Sequence, residues 1–216
     1  MDDRKITPQG FTLIELLLAI GLSALLVGVV MGTYLAIRKG VAESLTYHEV
    51  EVEGKLIIDR LRRDLEAAYI GNPLYPERFF FTSKVEGVPW NTTRLSFASA
   101  EAGDGKEGLK GIGDLGRITY RLKSSEKEGR YLLYRDLAPL QSQYVSEKEL
   151  ISDRVVSFRL AFEGENHLTT RRWDSRAQRW RDRLPLLARV ELVLKDAKGT
   201  LHTFRGDVHP RQDWMR

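Results

Sequence analysis

The chain has 216 residues, a formal net charge of +4 and no cysteine. The lack of cysteine excludes disulfides, cysteine nucleophiles and cysteine-ligated metal sites. The small net charge gives by itself no reason to expect a nucleic-acid partner.

The first element in chain order is an apolar run from Phe11 to Ile37, in which Glu15 is the only residue that is charged at neutral pH. A helix needs about 20 predominantly apolar residues to cross the hydrocarbon core of a bilayer, so this run is long enough to span it with some tilt. A charged side chain costs about 3 kcal/mol at the middle of a membrane and less near an end. Glu15 is therefore expected to have a partner that compensates its charge.

A free α-amine is one such partner. Cleavage between Gly10 and Phe11 would create an ammonium group at position i relative to Glu15 at i+4. The same amine could instead meet Glu15 of a neighbouring subunit at the same depth. Either pairing removes two unpaired charges from a medium in which they are expensive.

The sequence from Gly10 to Glu15, with the charged leader Met1–Gly10 before it, resembles the class III signal of type IV pilins and pseudopilins. The resemblance implies that a membrane aspartyl prepilin peptidase cuts after Gly10 and methylates the new amine of Phe11. It also implies that Glu15 aligns subunits as they pack into a filament. An ordinary secretory signal has a shorter apolar core, whereas a plain signal anchor stays an alternative.

A second helical pattern follows the basic residues Arg38 and Lys39. Apolar residues recur there at steps of three and four, which predicts one buried helix face formed by Val41, Leu45, Val52, Leu56, Ile57, Leu61, Leu65 and Ala68. Ion pairs at i,i+4 are predicted on the other faces, namely Asp59/Arg63, Arg60/Asp64 and Arg62/Glu66. Gly71-Asn72-Pro73 is expected to end the helix. A nearly continuous helix from Phe11 to Ile70 would be about 90 Å long, which suits a filament subunit.

The remainder of the chain shows the period of two that is typical of strands. Predicted strands cover Phe79–Val85, Arg94–Ala98, Arg117–Lys123, Arg130–Asp136, Arg154–Phe162, Leu187–Leu194 and Thr200–Val208. Polar turns at Ser124–Gly129 and Asp196–Gly199 join two hairpins, and Pro139–Leu150 is expected to be irregular or helical. The prediction is an α+β, pilin-like fold with a leader at 1–10, a transmembrane and filament-core helix at 11–37, and one globular domain at 38–216. That domain would contain the rest of the helix, at about 41–70, and an antiparallel sheet at about 79–208.

The end of the chain carries a further family likeness. Trp173 and Trp180 flank Asp174–Arg179, and Leu184-Pro185 leads into the strand Arg189–Leu192. Together with the helix segment Gly54–Leu65, these residues resemble the J-type minor pseudopilin of type II secretion. That resemblance implies an inner-membrane subunit with a periplasmic domain, assembled near the tip of a pseudopilus that exports folded proteins.

The same resemblance implies its partners: the I- and K-type minor pseudopilins, the major pseudopilin, the prepilin peptidase and exported proteins. Two other functions stay open. One is a minor type IV pilin that serves pilus assembly, adhesion or DNA uptake, and the other is a membrane-anchored periplasmic binding module.

No residue pattern in the sequence indicates a catalytic site. The four histidines lack the spacing of a zinc site, and no nucleophile or nucleotide motif is present, so we predict no enzymatic activity, cofactor or metal. The acidic, glycine-rich stretch Glu101–Asp114 leaves calcium binding open, although a solvated loop is preferred.

The arginine-rich segment Thr169–Arg189 surrounds the two tryptophans Trp173 and Trp180. Arg176 and Arg179, with these tryptophans, are predicted either to contact a partner subunit or to form cation–π contacts inside a hairpin. Stacking on single-stranded nucleic acid is the less favoured interpretation.

Overall fold

The computed structural model describes residues 12–71, 78–86, 91–99, 116–126, 129–140, 147–165 and 167–211, and it leaves out the side chains of 41–47. The chain divides into two units, Met1–Tyr47 and His48–Arg216, and each is described by itself. The predicted processing residues Gly10 and Phe11 and the acidic stretch Glu101–Asp114 lie outside the described residues.

One long helix, α1, runs from Leu13 to Glu66 over 54 residues. In the first unit, the segment Leu13–Gly40 is long and apolar enough to cross a membrane, and its side chains are exposed. An exposed apolar surface of this length is unstable in water, because each buried methylene is worth about 0.8 kcal/mol. This segment therefore requires an apolar environment, either lipid or other helices.

In the second unit, the helix from His48 onward packs on one face of the sheet. Its buried apolar residues are Val50, Ile57, Ile58, Leu61 and Leu65. Gly54 allows the closest approach, since a Cβ there would lie 2.3 Å from the ring of Phe204. The helix therefore rests directly on the last strand.

In the described part of the chain, nine strands form one antiparallel sheet in the order β1-β3-β4-β5-β6-β8-β9, with β2 also pairing with β3 and β7 with β6. The strands are β1 Ala68–Tyr69, β2 Phe81–Glu86, β3 Asn91–Ser99, β4 Gly116–Ser124, β5 Tyr131–Pro139, β6 Glu147–Glu163, β7 Thr169–Thr170, β8 Leu187–Lys195 and β9 Leu201–Val208. A short 3-10 helix spans Gln178–Trp180. The predicted α+β organisation, a long helix followed by an antiparallel sheet, is confirmed.

The long strand β6 changes partner near its middle. Up to Val155 it pairs with β5, and from Val155 onward it pairs with β8. Side chains from the start of β3 occupy the edge that β5 leaves: the Asn91 Oδ1 accepts from the backbone N of Phe158 at 3.1 Å, and the Thr92 Oγ1 accepts from the backbone N of Leu160 at 3.0 Å. The sheet thus curls around the core. The backbone N–H groups of Phe158 and Leu160, which no longer face β5, both have a side-chain acceptor.

The sheet also corrects one sequence prediction. Pro139–Leu150 was expected to be irregular or helical, but β6 begins at Glu147. Glu149 is the cross-strand neighbour of Arg135, and its Oε1 accepts a hydrogen bond from the Arg60 Nη1 of α1 at 2.7 Å. These contacts hold a polar segment in a strand although its own propensity is weak.

The helix differs from the prediction at its end and on its buried face. It ends at Glu66 rather than at Ile70, because Ala68 and Tyr69 pair with Ser99 and Ala98 of β3 as strand β1. The predicted inward positions Ile57, Leu61, Leu65 and Ala68 are buried, as expected.

Val52 and Leu56 were also predicted to face inward, but their side chains are 54% and 62% exposed. Val50 and Ile58 are buried in their place. The predicted period therefore holds from Ile57 to Ala68 and fails at Val52 and Leu56, while the side chains of Val41 and Leu45 lie outside the described residues.

Candidate functional site

Glu15 lies in the first turn of α1 and closes a capping box with Thr12. The Glu15 Oε2 accepts the backbone N–H of Thr12 at 3.0 Å and the Thr12 hydroxyl at 3.0 Å, while the Thr12 Oγ1 accepts the backbone N–H of Glu15 at 3.4 Å. Reciprocal bonds of this kind satisfy backbone donors that a helix start leaves unpaired. The carboxylate is thus held at the amino end of the apolar segment, where the helix dipole also favours negative charge.

Both hydrogen bonds to this carboxylate use Oε2. Among the described residues, the Glu15 Oε1 has no hydrogen-bond partner. An ionised carboxylate offers about four acceptor sites, so Glu15 keeps room for an ammonium group after capping the helix. The arrangement can therefore cap α1 and bind a cation at the same time.

The Thr12 contact was missed from the sequence, although its signal is present. Thr12-Leu13-Ile14-Glu15 has the Ser/Thr-x-x-Glu spacing that marks a helix start just before an apolar run. The i,i+4 relation between Phe11 and Glu15 predicts a different partner for the carboxylate, the amine of Phe11. Phe11 lies outside the described residues, so the pairing of its amine with Glu15 stays a prediction.

The tryptophan hairpin, residues 171–184, lies against β2. The Ser83 N donates to the Trp173 O at 2.8 Å, and the Trp173 N donates to the Ser83 Oγ at 2.9 Å. Trp173 and Trp180 stack with their ring centroids 4.1 Å apart and an interplanar angle of 22°. Trp173 is 2% exposed and belongs to the core, where it also contacts Phe162, so a partner would contact exposed residues of the hairpin, such as its arginines, and not Trp173.

The arginines of the hairpin are tied to its own rings and acids. The guanidinium of Arg179 lies over the Trp180 ring at 4.9 Å, and that of Arg176 lies over the Phe80 ring at 4.8 Å. Arg176 also donates from Nε and Nη2 to both oxygens of Asp174, at 2.9 and 3.0 Å. The hydrogen bonds from Arg176 lower the pKa of the Asp174 carboxyl. Both arginines nevertheless stay on the surface, with guanidinium edges available to a partner.

These contacts bear on nucleic-acid binding. Stacking of a base needs an open aromatic face. Trp173 covers one face of Trp180, and Arg179 lies over the same ring. The geometry therefore favours contacts with carboxylates over contacts with bases.

A charged network links α1 to the middle of the sheet. The carboxylate of Asp64 accepts the Tyr120 hydroxyl at 2.6 Å, the Arg135 Nε at 2.7 Å and the Arg135 Nη2 at 3.0 Å. Asp64 is only 5% exposed and Tyr120 only 1%. Burial, then the Asp64 charge, raises the pKa of Tyr120 well above its ordinary value, so the phenol stays a donor.

Within the described ranges, no three His, Asp or Glu side chains form a cluster that could hold a metal ion. His202 contacts Asp196 at 3.3 Å and lies 4.0 Å from Glu51, so it fastens the β8–β9 turn near α1. The calcium hypothesis concerns 101–114 and remains a prediction.

Comparison with known families gives one result, at the amino end of the chain. Residues 8–31 match the model of the prokaryotic N-terminal methylation motif. The motif indicates a type IV pilin-like, prepilin-processed protein. It supports the resemblance to type IV pilins and pseudopilins and, with the exposed apolar helix that follows, membrane anchoring. No curated protein matches the chain.

Proposed function

We propose that this chain is a minor pseudopilin of a type II secretion system, of the J type, which helps to initiate a short periplasmic filament and to export folded proteins. The observation that carries the proposal is the position of Glu15. It lies at the start of the exposed apolar segment Leu13–Gly40, inside the methylation motif at 8–31. A carboxylate that a membrane helix carries into lipid needs a specific partner.

In this proposal, a prepilin peptidase cuts after Gly10 and methylates the amine of Phe11. Glu15 keeps its cap on Thr12 through Oε2 and uses Oε1 to bind the methylated ammonium of its own or a neighbouring chain. The pair aligns subunits because a misaligned helix would leave both charges unpaired in an apolar medium. The subunit makes and breaks no bonds itself, and we propose no enzymatic activity.

The globular domain would lie in the periplasm and contact the I- and K-type minor pseudopilins, the major pseudopilin and exported proteins. The exposed side chains of Val52 and Leu56 on α1 support contacts along the helix. We further propose that Trp180, Arg176 and Arg179 contact a partner, with Trp173 holding Trp180 in place from the core. The J-type assignment rests on the paired tryptophans and the strand that follows them.

Two variants separate processing from assembly. Replacing Gly10 with leucine is expected to leave the leader attached, whereas Glu15→Val is expected to be processed normally and to lose co-purification with sister subunits. Ala19→Val is the matched control, since it changes volume in the same helix without removing a charge. Normal assembly of Glu15→Val would contradict the proposal.

The type of filament is tested in cells that lack this gene. A pseudopilin predicts that the exported proteins accumulate in the periplasm while surface pili stay normal. Loss of pili, adhesion or DNA uptake with normal export would instead assign the chain to the minor type IV pilins. Full function after replacement of 11–37 by an unrelated membrane anchor would favour a binding module.

A further inference from the structure

The face of the sheet opposite α1 carries a groove of about 350 Å³ that none of the contacts above uses. It crosses β6, β8 and β9, and four arginines line it: Arg159, Arg171, Arg189 and Arg205. Two carboxylates, Glu191 and Asp207, lie among them. The lining thus has an excess of two positive charges.

The groove exists because of how the strands are paired. Arg159, Glu191 and Arg205 are direct cross-strand neighbours in one row, and Ala161, Arg189 and Asp207 form the next row. Neighbouring strands are about 4.8 Å apart, so the backbones of the two outer arginines of the first row are about 10 Å apart, with Glu191 between them. The side chain of Ala161 is only a methyl group, whereas its neighbours in the lining are arginines. This difference in side-chain size gives the groove its depth.

Three of these arginines, Arg159, Arg189 and Arg205, have few partners of their own. The single carboxylate of Glu191 accepts from both outer arginines, through Oε1 from Arg159 and through Oε2 from the Arg205 Nε at 3.1 Å. The Arg189 Nη2 donates to the Glu163 Oε2 at 2.9 Å. A guanidinium has five N–H donors, so most donors of these three groups have no partner among the described residues. Each arginine ends in a planar fork of donors that suits the recognition of a carboxylate.

We propose that this groove binds an acidic, extended segment of another protein. A carboxylate matches the fork of an arginine with two parallel hydrogen bonds. A single small anion would reach only one or two of the four guanidinium groups, since three of them lie on β6, β8 and β9 and Arg171 follows β7. A peptide with several acidic side chains would reach all of them.

Nucleic acid fits the groove less well. Glu191 and Asp207 lie inside it and would repel a phosphate backbone, whereas hydroxyl and amide groups between the acids of a peptide can donate to them. The charge of the chain supports an acidic partner in general: residues 159–211 contain 12 Arg and Lys against 7 Asp and Glu, so this part holds the positive excess of the protein. The inference does not rest on the secretion function, since it concerns a face of the sheet and not the processed amino end.

Binding is measured with the full chain in a non-ionic detergent, by fluorescence anisotropy of a labelled hexaglutamate peptide. We expect binding that weakens as salt is added. The double variant Arg159→Gln/Arg205→Gln should weaken it about tenfold, because two charge-assisted contacts are lost. Arg62→Gln is the matched control, since it removes an exposed arginine on α1 that pairs with Asp59, and it should bind as the wild type does.

Ala161→Tyr tests the shape of the groove and keeps every charge. Tyrosine is well tolerated on the solvent face of a strand, so the fold should persist while the filled groove loses affinity. This variant also decides the outcome if the double variant fails to fold. Equal affinity of wild type and Ala161→Tyr for hexaglutamate would overturn the proposal. So would tighter binding of single-stranded hexathymidylate than of hexaglutamate, which would assign the groove to nucleic acid.

Discussion

The Asp64 network gives the sharpest test of how α1 is fastened to the sheet. Asp64→Ala removes three hydrogen bonds of 2.6, 2.7 and 3.0 Å and leaves the guanidinium of Arg135 without its counter-charge. The side chain of Arg135 is only 11% exposed, so water replaces the lost carboxylate poorly. Breaking a buried pair by removing one partner costs about 3–5 kcal/mol, and we expect about 4 kcal/mol here.

Other variants separate the contributions of the Asp64 charge, the Tyr120 hydroxyl and the ion pair to this loss of stability. Asp64→Asn keeps a carbonyl acceptor and loses the charge, so we expect a loss of about 2 kcal/mol. Tyr120→Phe removes only the hydroxyl and should cost about 1 kcal/mol. Asp64→Leu combined with Arg135→Met removes both charges and should cost less than Asp64→Ala alone, since a buried pair is often replaced by apolar groups at little net loss.

The free energy of unfolding is measured by urea titration of the full chain in a non-ionic detergent. Tryptophan fluorescence is a suitable signal because Trp173 is buried in the same core. Asp59→Ala is the matched control, because the Asp59–Arg62 pair on the same helix is about half exposed and should contribute no more than about 0.5 kcal/mol. If Asp64→Ala and Asp59→Ala destabilise the protein equally, the network does not fasten the helix as described.

Three further outcomes are expected. Thr12→Val removes the cap on α1 and should cost about 1 kcal/mol in the first turn, seen as faster amide hydrogen exchange there, while Thr12→Ser should exchange as the wild type does. Gly206→Val places a Cβ 2.8 Å from the Ile58 Cγ2, so it should destabilise the domain by about 1–3 kcal/mol in urea titration, whereas Thr203→Val on the exposed side of β9 should not. The folded pKa of Asp174 is lowered from its ordinary 3.8, chiefly by the hydrogen bonds from Arg176, so its contribution is present above that value and is lost as the pH falls through the folded pKa. The thermal midpoint should therefore fall less between pH 5 and pH 3 in Asp174→Asn than in the wild type; an equal fall would refute this assignment.

The sequence predicted the elements well where one physical signal dominates. The apolar run and its continuation set α1, and the period of two set β2 to β5, the second half of β6, β8 and β9, whereas β1, β7 and the start of β6 were not predicted. The turn at Asp196–Gly199 was also predicted: the Asp196 Oδ1 accepts the backbone N–H groups of Lys198 and Thr200, both at 2.8 Å. The apolar run, the period of two and the turn residues are all patterns among residues close together in the sequence, so they can be recognised without the structure.

Long-range contacts were harder to predict. Arg60 and Asp64 were expected to pair with each other along the helix, but Arg60 pairs with Glu149 and Asp64 with Arg135, both from the sheet. Helical spacing predicts that two side chains of one helix are neighbours. It cannot predict that a strand packed against the helix offers a better partner for the ion pair.

The candidate site shows the same division. The charge of Glu15 within an apolar run is visible in the sequence, and so is the clustering of Trp173 and Trp180 with arginines. The burial of Trp173 and the groove around Ala161 depend on which strands become neighbours. Pairing of β6, β8 and β9 brings residues from distant parts of the chain together. A period of two predicts that a segment is a strand, but it does not predict which strands pair.

The most direct test of the central claim is the intact mass of the protein isolated from the membranes of cells that carry an active prepilin peptidase. The claim is that Glu15 is tolerated at the start of an apolar helix because processing provides an ammonium group for it to bind. It predicts a mature chain that begins at Phe11 and carries one additional methyl group. A chain that still begins at Met1 under these conditions would contradict it.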